Sequence, residues 1–107
     1  NNRRAYNYIK KAQNIYKQIN NHNGRAAAYL SYCELYSYSG QIHELESAAV
    51  QILRLGDKVD NSKKIQAHLW ISSAAEQQLD YRDADKYANK AHRLILSDKK
   101  YKRFLPY

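Results

Sequence analysis

Histidine and cysteine are the residues of this chain with the chemistry to bind a transition metal or to act as a nucleophile. There are four histidines and one cysteine. No two histidines stand four residues apart, as two ligands on one helix would require, and no cysteine or carboxylate stands at a known ligand spacing beside them. The histidines are His22, His43, His68 and His92. We therefore predict scattered surface histidines, no metal site and no cofactor.

Cys33 is the single cysteine, so the chain cannot form an internal disulfide, and a reducing compartment such as the cytoplasm is the simpler expectation. Its neighbours carry no sequence signature of a nucleophile, whereas a small apolar residue suits a close approach of two helices. A glycine-rich phosphate loop is also absent from the sequence. We expect Cys33 to be a packing residue, no catalytic residues, and a protein that is not an enzyme.

Tyrosine is the most unusual feature of the composition, with eleven residues. Most of them stand at the spacing of a helix core, where a ring buries a large area and its hydroxyl group needs one partner. The tyrosines expected in the core are Tyr8, Tyr16, Tyr29, Tyr32, Tyr36 and Tyr87.

The apolar residues recur at helical spacing, which predicts five helices. One proline and three glycines leave few tight turns for an all-β chain, whereas abundant alanine, lysine, glutamine and leucine favour helix. The predicted segments run from Ala5 to Ile19, Arg25 to Tyr38, Ile42 to Leu53, Ile65 to Leu79 and Ala84 to Ile95. The expected fold class is all-α.

Short polar turns separate these segments. Asparagines before Gly24 should end the first helix, and Gly40 should end the second. Asp60 or Asn61 is expected to cap the fourth helix, and Asp80 the fifth. Because the connections are short, we expect neighbouring helices to pack antiparallel in a single domain spanning residues 1–107.

The helices repeat along the sequence. The shift that places Leu30 on Leu69 also places Arg54 on Arg93, and it aligns the second and third helices with the fourth and fifth. A nearly equal shift places the first helix on the third, with Ala5 on Leu45. A period of roughly 40 residues indicates stacked helical hairpins.

The first hairpin has large residues at Tyr29, Tyr32 and Tyr36, a small one at Cys33, and a glycine in its turn at Gly40. The fifth helix has small residues three to four positions apart; they are Ala84, Ala88 and Ala91. This pattern resembles the tetratricopeptide repeat. Leu79 replaces the second turn glycine, and the period is longer than that family's usual one, as in the divergent repeats of regulatory proteins. The resemblance implies a short right-handed solenoid of antiparallel hairpins.

The resemblance also implies a concave groove that binds a protein or peptide. The groove residues that follow from it are Ser31, Glu34, Tyr38, Gln66, Ser73 and Gln77. The family's clamp for a terminal carboxylate is not expected, since Leu30, Glu34, Leu69 and Ser73 occupy its positions. A groove with Glu34 suits a neutral or basic segment. The predicted function is a non-enzymatic interaction module, serving as a scaffolding or ligand-sensing segment of a larger regulatory protein.

Charge supports an alternative function. The net charge is +8, and the basic residues are concentrated at the two ends of the chain. Arg3, Arg4, Lys10, Lys11 and the tail would then bind nucleic acid through its phosphates. No recognised nucleic-acid motif accompanies these charges.

The ends of the chain give two further expectations. Residues 98–107 are either a basic tail or the start of a further repeat. Because the first helix aligns with the second helix of a hairpin, we expect the chain to be a piece of a longer array. Self-association through exposed repeat ends is a third hypothesis, in which Tyr6, Tyr101, Phe104 and Tyr107 would take part.

No apolar run approaches the roughly 18 residues that span a bilayer, so we predict no membrane span.

Overall fold

The computed structural model describes residues 2–98, which form five α-helices joined by short turns. The helices are α1 (Asn2–Gln18), α2 (His22–Ser39), α3 (Ile42–Arg54), α4 (Asn61–Gln77) and α5 (Tyr81–Ser97). A 3₁₀ turn at Gly56–Lys58 separates α3 from α4, and residues 2–98 contain no strand. The all-α prediction and its five helices are therefore confirmed. The prediction for the tail lies outside the described residues, apart from Asp98.

Polar side chains cap the N-termini of α2, α4 and α5. Asn21 Oδ1 accepts a hydrogen bond from the Gly24 backbone N–H at 2.8 Å and caps α2. Asp60 and Asp80 cap α4 and α5 in the same way, as predicted. The expected start of α2 at Arg25 was wrong by three residues, because Asn21 caps the helix and the polar residues after it form its first turn.

A left-handed residue ends the first helix of each hairpin. Gly40, after α2, has φ 71°, and Leu79, after α4, has φ 61°. In both turns the N–H of this residue bonds a carbonyl three residues back, and the following N–H bonds one five residues back. This is the Schellman arrangement, which satisfies the last helical carbonyls. The shift that places Leu30 on Leu69 also places Gly40 on Leu79.

The helices pack in the order of the chain. Each contacts its neighbours in sequence, and α2 also contacts α4. Within residues 2–98, α1 and α5 have no substantial contact with each other. We call α2 with α3 the first hairpin and α4 with α5 the second.

Small residues fill the centre of the fold. One buried cluster joins three helices and has Cys33, Leu45, Ala49, Ile71 and Ala74 among its members. A second cluster lies beside it and consists of Ala26, Ile52, Val59 and Ala67. The larger tyrosines and Trp70 pack around the first cluster and are only partly buried.

A side-chain hydrogen bond crosses each hairpin at equivalent positions. The Cys33 thiol donates to the Leu45 carbonyl with 3.9 Å between sulfur and oxygen. The Ser72 hydroxyl donates to the Ala84 carbonyl at 2.6 Å. The shift that places Cys33 on Ser72 also places Leu45 on Ala84. The helices of both hairpins therefore approach each other at the same small polar position.

The core prediction for the tyrosines was wrong at Tyr8, whose side chain is 67% exposed. Ile15 and Ile19 on the same helix are also exposed. Within the described residues α1 packs mainly against α2, so one narrow face is covered and the rest of its apolar stripe stays in solvent. Tyr16 lies on the covered face, beside Gly24.

We expect Gly24→Ala to lower the stability of the fold, because a Cβ atom at this position would overlap the Tyr16 ring. Overpacking costs about 1 to 3 kcal/mol, which exceeds the smaller gain in helix propensity expected in a first turn. The free energy of unfolding, measured in urea, should fall accordingly. In a Tyr16→Leu background the same substitution should cost less, and an equal cost in both backgrounds would contradict the close approach of α1 to α2.

We expect Leu79→Gly to raise the free energy of unfolding by about 0.5 to 1 kcal/mol. The left-handed conformation costs a residue with a Cβ about 1 to 2 kcal/mol, and the greater freedom of glycine in the unfolded chain offsets part of that gain. The Leu79 side chain is 71% exposed, so little packing is lost.

Gly40→Ala is the matched control for this substitution. It introduces a Cβ at the equivalent turn, where φ is also left-handed. We expect it to lower the free energy of unfolding by about 1 kcal/mol. If Leu79→Gly also destabilised the protein, the Leu79 side chain would have to contribute packing that outweighs its backbone strain.

Candidate functional site

A shallow depression lies along one face of α4. Its lining residues, Gln66, Leu69, Trp70 and Ser73, follow the spacing of a single helix face. The volume is about 290 Å³. We call it the α4 depression. Leu69 is 48% exposed there, whereas Trp70 is partly buried against the first core cluster. The α4 depression thus has an apolar floor with one amide and one hydroxyl group beside it.

Gln77 extends the polar side of this face by one turn. Its side-chain amide donates to the Ser73 hydroxyl at 3.4 Å. The Gln66 amide donates to the Ser62 carbonyl at 3.3 Å, so its carbonyl oxygen stays available to a ligand. The structure thus places Gln66, Ser73 and Gln77 together on α4, and their binding role stays a prediction.

The predicted residues of α2 lie apart from the α4 depression. Ser31 lines a separate depression between α1 and α2, together with Tyr8 and Tyr16, and its hydroxyl donates to the Ala27 carbonyl at 3.3 Å. Glu34 is exposed, and Tyr38 is 88% exposed. Ser31, Glu34 and Tyr38 share one face of α2, but the six predicted residues do not line a single pocket.

Trp70 lines the α4 depression but was not among the predicted groove residues. Its position four residues after Gln66 and three before Ser73 was the signal for a shared face. A ring that packs against the core along one edge can still present its other edge to a pocket.

A second depression between α4 and α5 was not predicted at all. Its polar lining residues are Lys64, His68, Lys90, Arg93 and Ser97, with Leu94 as an apolar wall, and its volume is about 430 Å³. We call it the basic depression. Sequence spacing gives only two local pairs, Lys64 with His68 and Lys90 with Arg93. Their meeting depends on how α4 packs against α5.

Tyr87 lies behind the basic depression. The His68 ring stacks on the Tyr87 ring with 6.0 Å between centroids, and Lys90 Nζ lies 4.8 Å from the Tyr87 centroid. Burial, and then the charge of Lys90, lower the pKa of His68. The His68 imidazole is therefore mainly neutral at pH 7.

Cys33 is fully buried. Burial raises the pKa of its thiol to about 12, and a backbone hydrogen bond only partly opposes this effect. The reactive thiolate form is thus rare at neutral pH.

Within residues 2–98, no three His, Cys, Asp or Glu side chains come together as a metal site. No helix in this part of the chain is long and apolar enough to cross a membrane.

Comparison with protein-family models, curated proteins and solved structures finds no match to this chain. The tetratricopeptide-like family therefore stays a prediction.

We expect Cys33 to resist alkylation by iodoacetamide at pH 8 in the folded protein. With a thiol pKa of about 12 against an ordinary 9.0, the thiolate fraction is on the order of 10⁻⁴ when folded and 10⁻¹ when unfolded. The rate, followed by mass spectrometry, should be at least about a thousandfold lower than in urea. Rates within tenfold of each other would contradict the burial of this thiol.

Proposed function

We propose that this protein is a non-enzymatic helical-repeat module that binds a peptide or protein segment along the exposed faces of α2 and α4. The observation that carries the proposal is the α4 depression, in which the apolar surface of Leu69 and Trp70 lies beside the polar groups of Gln66 and Ser73. An apolar surface with a few placed polar groups is the usual composition of a binding site.

The repetition of the two hairpins supports a tetratricopeptide-like stack. Their turns, N-caps and cross-hairpin hydrogen bonds recur at equivalent positions of the repeat. The packing of helices in chain order, with α1 and α5 separated within residues 2–98, is typical of an open array of hairpins. In such an array α2 and α4 line the same side, which would place Glu34 and Tyr38 beside the α4 depression as further contacts.

The size of the α4 depression limits the ligand. A volume of about 290 Å³ lies at the small end of ligand pockets and accommodates one large apolar side chain. The amide of Gln66 and the hydroxyl of Ser73 would bond the backbone of the same segment. Glu34 favours a neutral or basic peptide over an acidic one. The resemblance to the divergent repeats of regulatory proteins supports a scaffolding or ligand-sensing role of this module in a larger regulatory protein.

A stripe of cations favours nucleic-acid binding as the second candidate function. Arg3 and Lys10 are seven residues apart on α1, as are Arg4 and Lys11, so two rows of charge run along one side of the helix. All four side chains are exposed. Binding to single-stranded DNA or RNA through these residues would weaken steeply as salt is added.

We expect Leu69→Asp to weaken peptide binding at least tenfold. Peptides selected from a random display library on the wild-type protein would be titrated by fluorescence anisotropy. Burying a leucine side chain is worth about 1.5 to 3 kcal/mol, and an aspartate in the same place would lose that contribution. Circular dichroism would check that the variant folds.

Leu79→Asp is the matched control, because it introduces the same charge at another exposed leucine. Its binding should stay within twofold of the wild type. Equal binding by all three proteins would exclude the α4 depression as the site. Two results together would favour the second candidate function. No peptide would be selected, and the wild-type protein would shift the mobility of an oligonucleotide, whereas the Lys10→Gln/Lys11→Gln variant would not.

A further inference from the structure

The basic depression gathers more positive charge than any other depression described above. Lys64 and His68 approach it from α4, and Lys90 and Arg93 approach it from α5. No carboxylate is among its lining residues in the described part of the chain. Lysine and arginine side chains that converge without acids between them repel one another, and a bound anion would relieve that repulsion.

Few counter-charges balance these cations. Lys64 Nζ lies 3.5 Å from a carboxylate oxygen of Asp57, whose side chain is fully exposed. Because solvent screens the fully exposed Asp57 carboxylate, the pair contributes little, and Asp57 competes weakly with another anion. Lys90 and Arg93 have no carboxylate partner among residues 2–98. Asp98 lies near the end of α5 but receives a hydrogen bond from Asn61.

Aromatic packing holds the basic groups in place. Tyr87 supports the Lys90 ammonium on its ring at 4.8 Å, and the His68 ring stacks against it. A cation over an aromatic ring is attracted to it and loses part of its freedom. Lys90 is therefore partly ordered before any ligand arrives, which reduces the entropy lost on binding.

His68 adds a titratable group to the lining of the basic depression. Its Nδ1 atom is buried and has no hydrogen-bond partner. Burying a polar nitrogen without a partner is unfavourable. Its pKa is lowered by burial and then by Lys90, and an anion beside Lys90 would cancel the second of these effects. The imidazole would then gain a proton more readily, and its positive charge would add to the charges of the lysines and the arginine.

We propose that the basic depression binds the phosphoryl group of a phosphate or phosphomonoester, with Arg93 and Lys90 as its main contacts and Lys64 and His68 completing the site. An arginine fork matches two phosphate oxygens, and lysine adds a point charge. Three permanent cations balance the double charge of a phosphoryl group better than the single charge of a carboxylate.

The volume favours a phosphomonoester. A phosphate group fills the space of about three waters, roughly 90 Å³. The basic depression has about 430 Å³, so an organic group has room beside the phosphate, against the side chain of Leu94. Lys64 and His68 lie on the face of α4 opposite Gln66 and Ser73, because each residue turns a helix by about 100°. The basic depression is thus independent of the proposed peptide site.

The test is a calorimetric titration of inorganic phosphate and of phenyl phosphate into the whole chain at pH 7 and constant ionic strength. The double variant Lys90→Gln/Arg93→Gln removes the main contacts. Lys17→Gln/Arg82→Gln is its matched control, since it also removes one lysine and one arginine, from exposed side chains that do not line the basic depression. We expect the first variant to weaken binding at least tenfold and the control by less than twofold.

Two outcomes would overturn the proposal: equal weakening in both variants, which is general charge attraction, or no measurable binding to the wild type. Tighter binding of phenyl phosphate would identify an organic phosphomonoester as the ligand. Tighter binding of inorganic phosphate would identify the free anion as the ligand.

If the double variant fails to fold, Arg93→Gln alone changes an exposed side chain and should weaken binding about fivefold. The His68 ring resonances, followed by NMR, should shift with phosphate in the wild type and stay unmoved in Arg93→Gln at the same concentration.

Discussion

Most of the fully buried side chains in residues 2–98 are alanines, and they lie where the helices cross. Small side chains let two helix backbones approach closely enough for Cys33 to reach the Leu45 carbonyl and Ser72 to reach the Ala84 carbonyl. A larger side chain at either position would push the helices apart. The close approach at these crossings is therefore the condition on which the packing of both hairpins depends.

A core of alanines buries little apolar area per residue, so the tyrosines around it must supply much of the rest. Tyr32 and Tyr36 stack on each other with 5.9 Å between centroids, and Tyr6 of α1 lies against both. Burial raises the pKa of both Tyr32 and Tyr36, and the neighbouring tyrosines add to this. The aromatic rim thus attaches α1 to the first hairpin. It also gives a packing role to several of the tyrosines.

Local patterns in the sequence predicted the parts of the fold that local interactions decide. Helix spacing, the caps at Asp60 and Asp80 and the turn at Gly40 depend on residues within one turn of each other, so a single sequence contains them. Tyr8 was assigned to the core because an apolar stripe shows only that a face can be buried. Whether a second helix covers it depends on tertiary packing.

The same limit applies to the candidate sites. Gln66 and Ser73 could be placed on one face of α4 because they belong to one helix. The basic depression could not be predicted, since Lys64 and Lys90 meet only through the way α4 and α5 cross. The tetratricopeptide-like family that suggested a groove stays a prediction, whereas the lining of the α4 depression consists of side chains of one helix.

Comparison of equivalent positions in the two hairpins distinguishes the residues that packing requires from the residues that can vary. Cys33 and Ser72 remain small, and Gly40 and Leu79 are both left-handed, because the scaffold requires these features in each hairpin. By contrast, Tyr29 corresponds to His68 and Gln51 to Lys90, so two lining positions of the basic depression change their chemistry between the hairpins. Its other two basic positions, Lys64 and Arg93, correspond to Arg25 and Arg54 and are basic in both hairpins. Since one backbone arrangement accommodates both sets, the change of chemistry is not explained by packing. A ligand specific to the second hairpin is a physical reason to add His68 and Lys90 there to the two basic positions that both hairpins share.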